Sequence, residues 1–184
     1  MHYRIAEPDD VPKIVKLYKA VARIPGLLAR QEDEMTEEYV SHFVKKSLED
    51  GLIIVGALEE KPDELIAEVH GYRPGLRNFN HVLGDVTFLV HPDHQGKGIG
   101  RTIFTIFLEE IGTRFTNIGK VELITGESNL KAIGFYQSMG FMIEGRMEMR
   151  FRKPDGMFEA DIPMGWVNPG FEFDGEIPRL NDEA

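Results

Sequence analysis

The chain has 184 residues without a single cysteine, which excludes a disulfide framework, a zinc finger and a cysteine nucleophile. Its 31 acidic and 21 basic residues give a formal net charge of −10, and this balance disfavours nucleic acid as a partner because phosphate binding needs basic patches. No stretch approaches the roughly 20 apolar residues that span a bilayer, and the N-terminus lacks the apolar run of a signal peptide. We therefore expect a cytoplasmic protein that does not bind membranes.

Hydrophobic periodicity and turn signals predict alternating strands and helices. The predicted strands are 3–6, 52–58, 65–72, 82–91, 121–125, 141–151 and 158–166. The predicted helices are 8–20, 36–48, 99–111 and 130–139, with Thr36 as the cap of the second helix. This order predicts an α/β fold: a single domain with a mixed central sheet of about seven strands, flanked by helices on both faces. The fourth and fifth strands are expected to be parallel because a helix connects them.

The last residues differ in composition from the rest of the chain. From position 168 to position 184 there are five acidic residues and one basic residue, with several prolines and glycines and no periodicity. We therefore predict a domain over residues 1–167 and an acidic tail over residues 168–184 that is extended or partly disordered.

The segment 90–101 joins the fourth predicted strand to the third predicted helix through a glycine-rich loop. Its three glycines let the backbone pass close to a ligand and present N–H groups, and the helix directs its positive end to the same place. Lys97 and Arg101 could add charge-assisted hydrogen bonds. The pattern predicts a pyrophosphate site, but the loop matches neither a Walker loop nor the dinucleotide fingerprint. A tight turn that binds no ligand is the alternative.

Two motifs in this order resemble the signatures of the GNAT acyltransferases. Gln95-Gly96-Lys97-Gly98-Ile99-Gly100 is similar to Q/R-x-x-G-x-G/A, and Asn129 to Tyr136 followed by Gly140-Phe141 is similar to N-x-x-A-x-x-x-Y…G-F. The resemblance covers about residues 3–166 and implies a GNAT fold. It also implies acetyl-CoA as co-substrate, no metal, and acetyl transfer to an amine. Segments 141–146 and 155–164 are similar to a subset that acts on polyamines, small amine-bearing toxins and protein N-termini.

The resemblance also assigns the residues that would bind the coenzyme. These are Phe88, Leu89, Val90, Gln95, Gly96, Lys97, Gly98, Ile99, Gly100, Arg101, Asn129 and Tyr136. Backbone groups of the fourth strand would bind the pantetheine arm and the thioester oxygen where this strand splays from the fifth. Asn129 would bind the pantetheine amide or cap its helix. Tyr136 would protonate the departing thiolate, and a packing role is its alternative.

The general base is not identified by any motif. Asp85 and Glu122 are candidates, Glu68 is a third option, and a structural or solvated carboxylate is the alternative for each. His91 and His94 lie near Asp93, but no further ligand cluster accompanies them, so we expect no metal site. The segment 24–33 is expected to form a wall of the acceptor site, and its acidic end would favour a cationic acceptor, although acidic residues can serve solubility alone.

The sequence thus predicts an N-acetyltransferase that acts on a primary amine of a small cationic or zwitterionic molecule. Polyamines, amino-acid-like molecules and toxin amines are candidate acceptors. A protein N-terminal or lysine acetyltransferase and a non-catalytic acyl-CoA-binding module are the alternatives, and a protein that binds another phosphate ligand in the loop is a further one. A homodimer is compatible with this interpretation.

Overall fold

The computed structural model describes residues 1–153 and 155–172, in which a mixed sheet carries four α-helices. The strands are β1 (His2–Ile5), β2 (Gly51–Leu58), β3 (Lys61–Tyr72), β4 (Val82–Val90), β5 (Lys120–Gly126), β6 (Met142–Ile143), β7 (Met147–Arg152) and β8 (Phe158–Val167). The helices are α1 (Val11–Ala22), α2 (Glu37–Asp50), α3 (Ile99–Arg114) and α4 (Leu130–Ser138). The eight strands follow the order β1-β2-β3-β4-β5-β8-β6, and β7 also pairs with β8. The predicted α/β fold with a mixed sheet is confirmed, and the predicted strand 141–151 proves to be two strands.

The helices cover both faces of the sheet, as the sequence predicted. Tyr18 of α1 and Phe43 of α2 are fully buried in a core on one face, and Phe104 and Phe107 of α3 are fully buried on the other. Burying a large apolar side chain contributes about 1.5–3 kcal/mol, so the amphipathic helices are held by this packing. Thr36 caps α2 as predicted, because its hydroxyl accepts a hydrogen bond from the Tyr39 N–H.

Strands β4 and β5 are parallel, but they pair over only a short distance. The register joins Val82 to Lys120 and Leu83 to Val121, whereas β4 continues to Val90 and β5 to Gly126. On its other edge β4 stays paired with β3 as far as Val90. The two strands therefore diverge beyond Leu83 and leave a gap in the middle of the sheet, edged by backbone that no strand pairs.

Strand β4 contains a bulge next to this gap. His70 of β3 lies opposite Thr87 and Tyr72 lies opposite Gly84, so β4 carries one residue more than β3 between these two pairs. Asp85 falls within the extra length and has a φ of 50°, in the left-handed region that few residues other than glycine adopt. The bulge leaves the Asp85 side chain exposed in a strand whose flanking residues, Gly84 and Val86, are buried.

The start of the predicted acidic tail packs against the domain. The Asn168 side chain is buried and donates to the Ile118 carbonyl at 2.7 Å, and the ring of Phe171 stacks on His81. The domain's packing thus continues beyond Val167. Residues 173–184, over which the tail was predicted to be extended or partly disordered, lie outside the described residues.

None of the helices that the structure describes combines the length and the apolar composition needed to cross a membrane.

Candidate active site

The glycine-rich loop presents a continuous run of unpaired N–H groups. Across residues 1–153 and 155–172, no backbone N–H from Gly96 to Arg101 donates to another backbone group or to a side chain. Gly96 and Gly98 have φ angles of 74° and 81°, and a Cβ added at either would meet nothing within 4 Å. Because α3 begins at Ile99, these N–H groups coincide with the positive end of a helix dipole. This arrangement can hold an anion such as a pyrophosphate.

The side chains around the loop fix its shape and leave its unpaired N–H groups uncovered. Gln95 donates to the Val90 carbonyl at 3.1 Å, and Lys97 donates to the Asp93 carbonyl at 2.9 Å. Arg101 ties α3 to α4 through a 2.8 Å hydrogen bond to the Ser138 hydroxyl. The loop therefore enters the site mainly through its backbone, with the cations of Lys97 and Arg101 at its side.

Ile99 and Gly100 differ from the other loop residues in facing the core. Ile99 is buried, and a Cβ on Gly100 would lie 2.9 Å from the ring of Phe88. Gly100 thus lets α3 pack closely against β4, and any contribution of these two residues to an anion site comes from their N–H groups.

Alternate residues of β4 direct their backbone N–H and C=O groups towards the gap. The His91 N–H donates to the Ile66 carbonyl of β3 at 2.7 Å, and backbone groups point to opposite edges at successive residues of a strand. Phe88 and Val90 consequently direct their N–H and C=O groups towards the gap, whereas Leu89 directs its own towards β3. The Leu89 side chain is buried in the core beneath α1 and α2.

Tyr136 lies in an aromatic cluster beside the gap. Its ring centroid is 5.6 Å from that of Phe104, 5.8 Å from that of Phe141 and 6.5 Å from that of Phe88, and Phe135 adjoins it. Burial raises the pKa of the Tyr136 phenol, which therefore stays protonated. The hydroxyl makes no hydrogen bond to any of the described residues and is free to donate to a ligand.

Asn129 caps α4, because its Oδ1 accepts a hydrogen bond from the Ala132 N–H at 3.1 Å. Asn129 thus takes the capping role, one of the two roles predicted from the sequence.

The three candidate bases occupy very different surroundings. Glu122 is exposed on β5 near Gly84 and lies 3.4 Å from Lys120. Glu68 is fully buried, with its two oxygens 2.7 Å from the Tyr18 hydroxyl and 2.9 Å from His70 Nδ1. Asp85 is exposed at the β4 bulge.

The carboxylate of Asp85 has a tyrosine partner. Burial raises the pKa of Tyr72 to about 12, and the charge and hydrogen bond of Asp85 add to that rise. Tyr72 lies on the face of β3 that also carries His70, and their rings are parallel with centroids 6.2 Å apart. A buried polar row therefore leads from Glu68 along β3 to Asp85 at the mouth of the gap.

Arg30 and Tyr39 border the region around Tyr72 and Asp85 on the side of α1 and α2. The Arg30 guanidinium lies 4.1 Å from the centroid of the Tyr39 ring. Burial raises the pKa of Tyr39, Arg30 opposes the rise, and the charges of Glu68 and Asp85 add to it. Ring contacts connect these groups: the Tyr39 ring lies 5.4 Å from that of Phe43, and Phe43 stacks on His70 at 4.1 Å.

No motif in the sequence marks Tyr18, Tyr39, His70 or Tyr72 as site residues. Those on β3 do follow a pattern: polar side chains recur at positions 68, 70 and 72 of the otherwise apolar stretch 65–72, and this spacing puts them on one face.

The acidic end of the predicted acceptor wall is largely engaged by local partners. Glu32 lies 2.7 Å from Arg23, and Glu34 accepts a hydrogen bond from the Gln31 N–H at 2.8 Å. These carboxylates stabilise the turn between α1 and α2, whereas the Asp85 carboxylate is exposed beside the gap.

His91 and His94 have their ring centroids 5.8 Å apart. No group of three or more histidine, aspartate or glutamate side chains is arranged to hold a metal ion within the part of the chain that the structure describes.

Comparison with known proteins identifies related sequences. The family model described as "Acetyltransferase (GNAT) family" matches residues 15–141. The L-amino acid N-acyltransferase MnaT of Escherichia coli (strain K12) is 24% identical over 149 residues, which cover 80% of this chain and 83% of that protein. The spermidine N(1)-acetyltransferase of Vibrio cholerae is 32% identical over 74 residues, which cover 40% of this chain and 42% of that protein.

Solved structures share the fold. A phosphinothricin acetyltransferase from Sinorhizobium meliloti in complex with acetyl-CoA superposes with a TM-score of 0.77 at 17% identity, covering 97% of this chain and 93% of that one. The acetyltransferase yncA from Salmonella typhimurium, solved with its cofactor acetyl-CoA, superposes with a TM-score of 0.77 at 18% identity, covering 98% and 99%. At these identities the likeness establishes the fold, which is the one predicted from the two motifs.

Proposed function

The chain belongs to the acetyltransferase (GNAT) family and is an acyl-CoA-dependent N-acyltransferase, and from this premise we propose that it transfers an acetyl group from acetyl-CoA to a primary amine of a small cationic or zwitterionic molecule. The observation that carries the proposal is the gap between β4 and β5. It has free loop N–H groups on the α3 side and the exposed carboxylate of Asp85 on the α1–α2 side.

The residues around the gap fit acetyl-CoA. The open positions at Gly96 and Gly98, together with the unpaired N–H groups up to Arg101, suit the pyrophosphate. The unpaired backbone groups of Phe88 and the Val90 N–H suit the amide groups of the pantetheine arm and the thioester oxygen, whereas the Val90 carbonyl accepts a hydrogen bond from Gln95. When bound, acetyl-CoA supplies the acetyl group as a thioester.

Asp85 is the carboxylate that we assign to the acceptor amine. An alkylammonium ion must lose a proton before its nitrogen can attack the thioester carbonyl, and a carboxylate in reach can take that proton directly or through water. Glu68 has both oxygens engaged, and Glu122 is paired with Lys120, whereas Asp85 is exposed at the bulge. Tyr72 lies opposite Gly84 in the sheet, next to Asp85.

Tyr136 is the group that we assign to the leaving thiolate. As the C–S bond breaks, the sulfur gains a negative charge that the Tyr136 hydroxyl can neutralise by donating its proton. A phenol has an ordinary pKa of about 10 and a thiol of about 8.5, so this transfer is uphill in water. The apolar rings around Tyr136 raise the pKa of a thiol beside them as well as that of the phenol, so burial alone does not remove this difference. The Tyr136 hydroxyl can also stabilise the thiolate by donating a hydrogen bond to it.

The test is a screen of amines with the full chain and acetyl-CoA, measured by thiol release and by the mass of the acetylated product. Small primary amines are expected to be acetylated in preference to peptide N-termini and lysine side chains. Asp85→Asn should lower kcat/KM for the best amine by roughly 10²- to 10⁴-fold, whereas Glu122→Gln, a matched loss of a carboxylate across the gap, should have a small effect.

Three results would contradict this proposal. Coenzyme A binding without amine-dependent thiol release would indicate a binding module. Preference for peptides would indicate a protein acetyltransferase. Equal losses in the Asp85 and Glu122 variants would remove the assignment of the base.

A further inference from the structure

Arg30 is an exposed cation on the wall of the proposed acceptor site. Its guanidinium lies 4.1 Å above the Tyr39 ring, and its nearest acidic partner among the described residues is Glu34, at 4.0 Å. Stacking on an aromatic face fixes the plane of a guanidinium and leaves the N–H groups on its edge available. A guanidinium held in this way is suited to bind a carboxylate through two parallel hydrogen bonds.

Two neighbouring arginines are more firmly engaged than Arg30. Arg23 lies 2.7 Å from Glu32, and Arg73 donates to the Asn80 carbonyl at 2.8 Å and lies 3.6 Å from Asp50. Of these three arginines, Arg30 has the longest ion pair with the described residues, at 4.0 Å from Glu34.

Arg30 and Asp85 lie at the two ends of an aromatic row. Arg30 stacks on Tyr39, and the ring centroids of Tyr39 and Phe43 are 5.4 Å apart. Phe43 stacks on His70 at 4.1 Å, and the His70 ring lies 6.2 Å from that of Tyr72. Tyr72 lies opposite Gly84, the residue that precedes Asp85. The row thus has a positive end, two phenol rings in the middle and a negative end beside the gap. A ligand that matches it carries an ammonium group towards Asp85 and an anionic group towards Arg30.

We propose that the acceptor is a zwitterion of the amino-acid type, whose carboxylate binds Arg30 while its amine faces Asp85 and the gap. This proposal rests on the proposed function and narrows its substrate class. A polyamine would place a second ammonium group near the Arg30 guanidinium, where like charges repel, so the geometry disfavours it.

The experiment compares three acceptors that share one side chain: an α-amino acid, its α-carboxamide and the corresponding amine without the carboxyl group, with a polyamine as the fourth acceptor. Each is assayed with the wild type, with Arg30→Gln and with Arg23→Gln. Arg23 is the matched control, because it is an arginine of the same segment that is engaged with Glu32. Folding of each variant is checked by thermal unfolding.

The wild type should prefer the amino acid to its carboxamide. Arg30→Gln should lower kcat/KM for the amino acid by about 10- to 100-fold, the loss expected for a charged hydrogen-bonded pair, and should leave the carboxamide and the amine within about twofold. Arg23→Gln should preserve the preference for the amino acid.

Two outcomes would overturn the proposal while the proposed function stands: a polyamine that is acetylated faster than the amino acid, or an equal loss for all acceptors in Arg30→Gln. If none of the amines releases thiol from acetyl-CoA, the proposed function itself fails and the inference fails with it.

Discussion

At the scale of single residues, Tyr136 is the side chain whose proposed role can be separated most cleanly from packing. Replacing it by phenylalanine keeps the ring among Phe104, Phe135 and Phe141 and removes only the hydroxyl, which makes no hydrogen bond to the described residues. Tyr136→Phe should therefore lower kcat by roughly 10²-fold, the low end of the range for general acid catalysis, with little change in KM for acetyl-CoA.

Steady-state kinetics measures this effect under conditions in which chemistry limits turnover. Tyr3→Phe, a partly buried tyrosine on β1, is the control and should retain wild-type kcat. Wild-type kcat in a folded Tyr136→Phe variant would show that water protonates the thiolate and that Tyr136 only packs.

The residues beneath the site show what a single sequence cannot reveal. Tyr18 and Glu68 are 50 positions apart in the chain and meet at 2.7 Å, and Tyr18 lies on a helix that reads simply as amphipathic. The sequence could mark Tyr136 as a candidate, because its motif is local and its spacing on the helix is fixed. It could not pair Glu68 with Tyr18 and His70, because that pairing depends on how α1 and α2 pack on β3.

At the scale of elements, the glycine-rich loop contains two kinds of glycine. Gly98 has a φ of 81° and faces open space, whereas Gly100 lies against Phe88. Gly98→Ala should weaken coenzyme A binding, because the methyl group projects where the N–H groups face the anion, and a left-handed alanine costs about 1–2 kcal/mol. Gly100→Ala should instead lower stability by forcing α3 away from β4.

Calorimetry with coenzyme A and thermal unfolding distinguish these effects. Gly156→Ala is the matched control for backbone strain, since Gly156 has a φ of 88° in open space in the turn between β7 and β8. It should cost similar stability and leave affinity unchanged. If folded Gly98→Ala binds coenzyme A as tightly as the wild type, the loop does not hold the pyrophosphate.

A carboxylate on β8 supports the turn that leads into α4. Glu159 forms an ion pair with Lys153 at 2.9 Å and accepts a hydrogen bond from the Ser128 N–H at 2.5 Å. These two partners lower the pKa of Glu159 from 4.5 to about 2. A carboxyl group with a lowered pKa stabilises the fold above its ordinary pKa, and this contribution is lost as the pH falls from about 4.5 towards 2.

Glu159→Gln should therefore lower the melting temperature at neutral pH and make it fall less steeply between pH 4.5 and pH 2. Thermal unfolding across this range measures both effects. The exposed Glu38→Gln should behave as the wild type. Parallel pH profiles for the wild type and Glu159→Gln would mean that the link between β8 and the turn does not stabilise the protein.

The elements themselves were largely predictable, and the irregularities within them were not. The four helices and most strands follow from periodicity and caps, since these signals act within a few residues. The bulge at Asp85 is invisible to an alternating pattern, because it depends on the register with β3. The predicted strand 141–151 divides because Met142 and Met147 pair with β8 at Gly165 and Asp161, a register that the sequence does not specify.

At the scale of the whole molecule, the gap would let one sheet bind the two proposed substrates from opposite faces. The glycine-rich loop and Tyr136 belong to the face covered by α3 and α4, and Tyr72 and Tyr39 belong to the face covered by α1 and α2. Strand β4 connects the faces, because its free backbone edge and its bulged residue Asp85 both border the gap. The divergence of two strands thus brings the proposed donor and acceptor sites together.

The net charge of −10 should affect cationic and zwitterionic acceptors differently. A cationic acceptor is attracted by the whole molecule, and salt weakens that attraction because the screening length falls from about 10 Å at 0.1 M to about 3 Å at 1 M. A zwitterion has no net charge, so it interacts mainly with the charged groups that lie close to it.

Raising the ionic strength should therefore increase KM several-fold for an amino acid amide, which is cationic, and should change KM much less for the amino acid itself. Steady-state kinetics on this pair at several salt concentrations measures the difference, with acetyl-CoA kept saturating throughout. An identical salt dependence for the two acceptors would show that the charge of the molecule does not guide the choice of substrate.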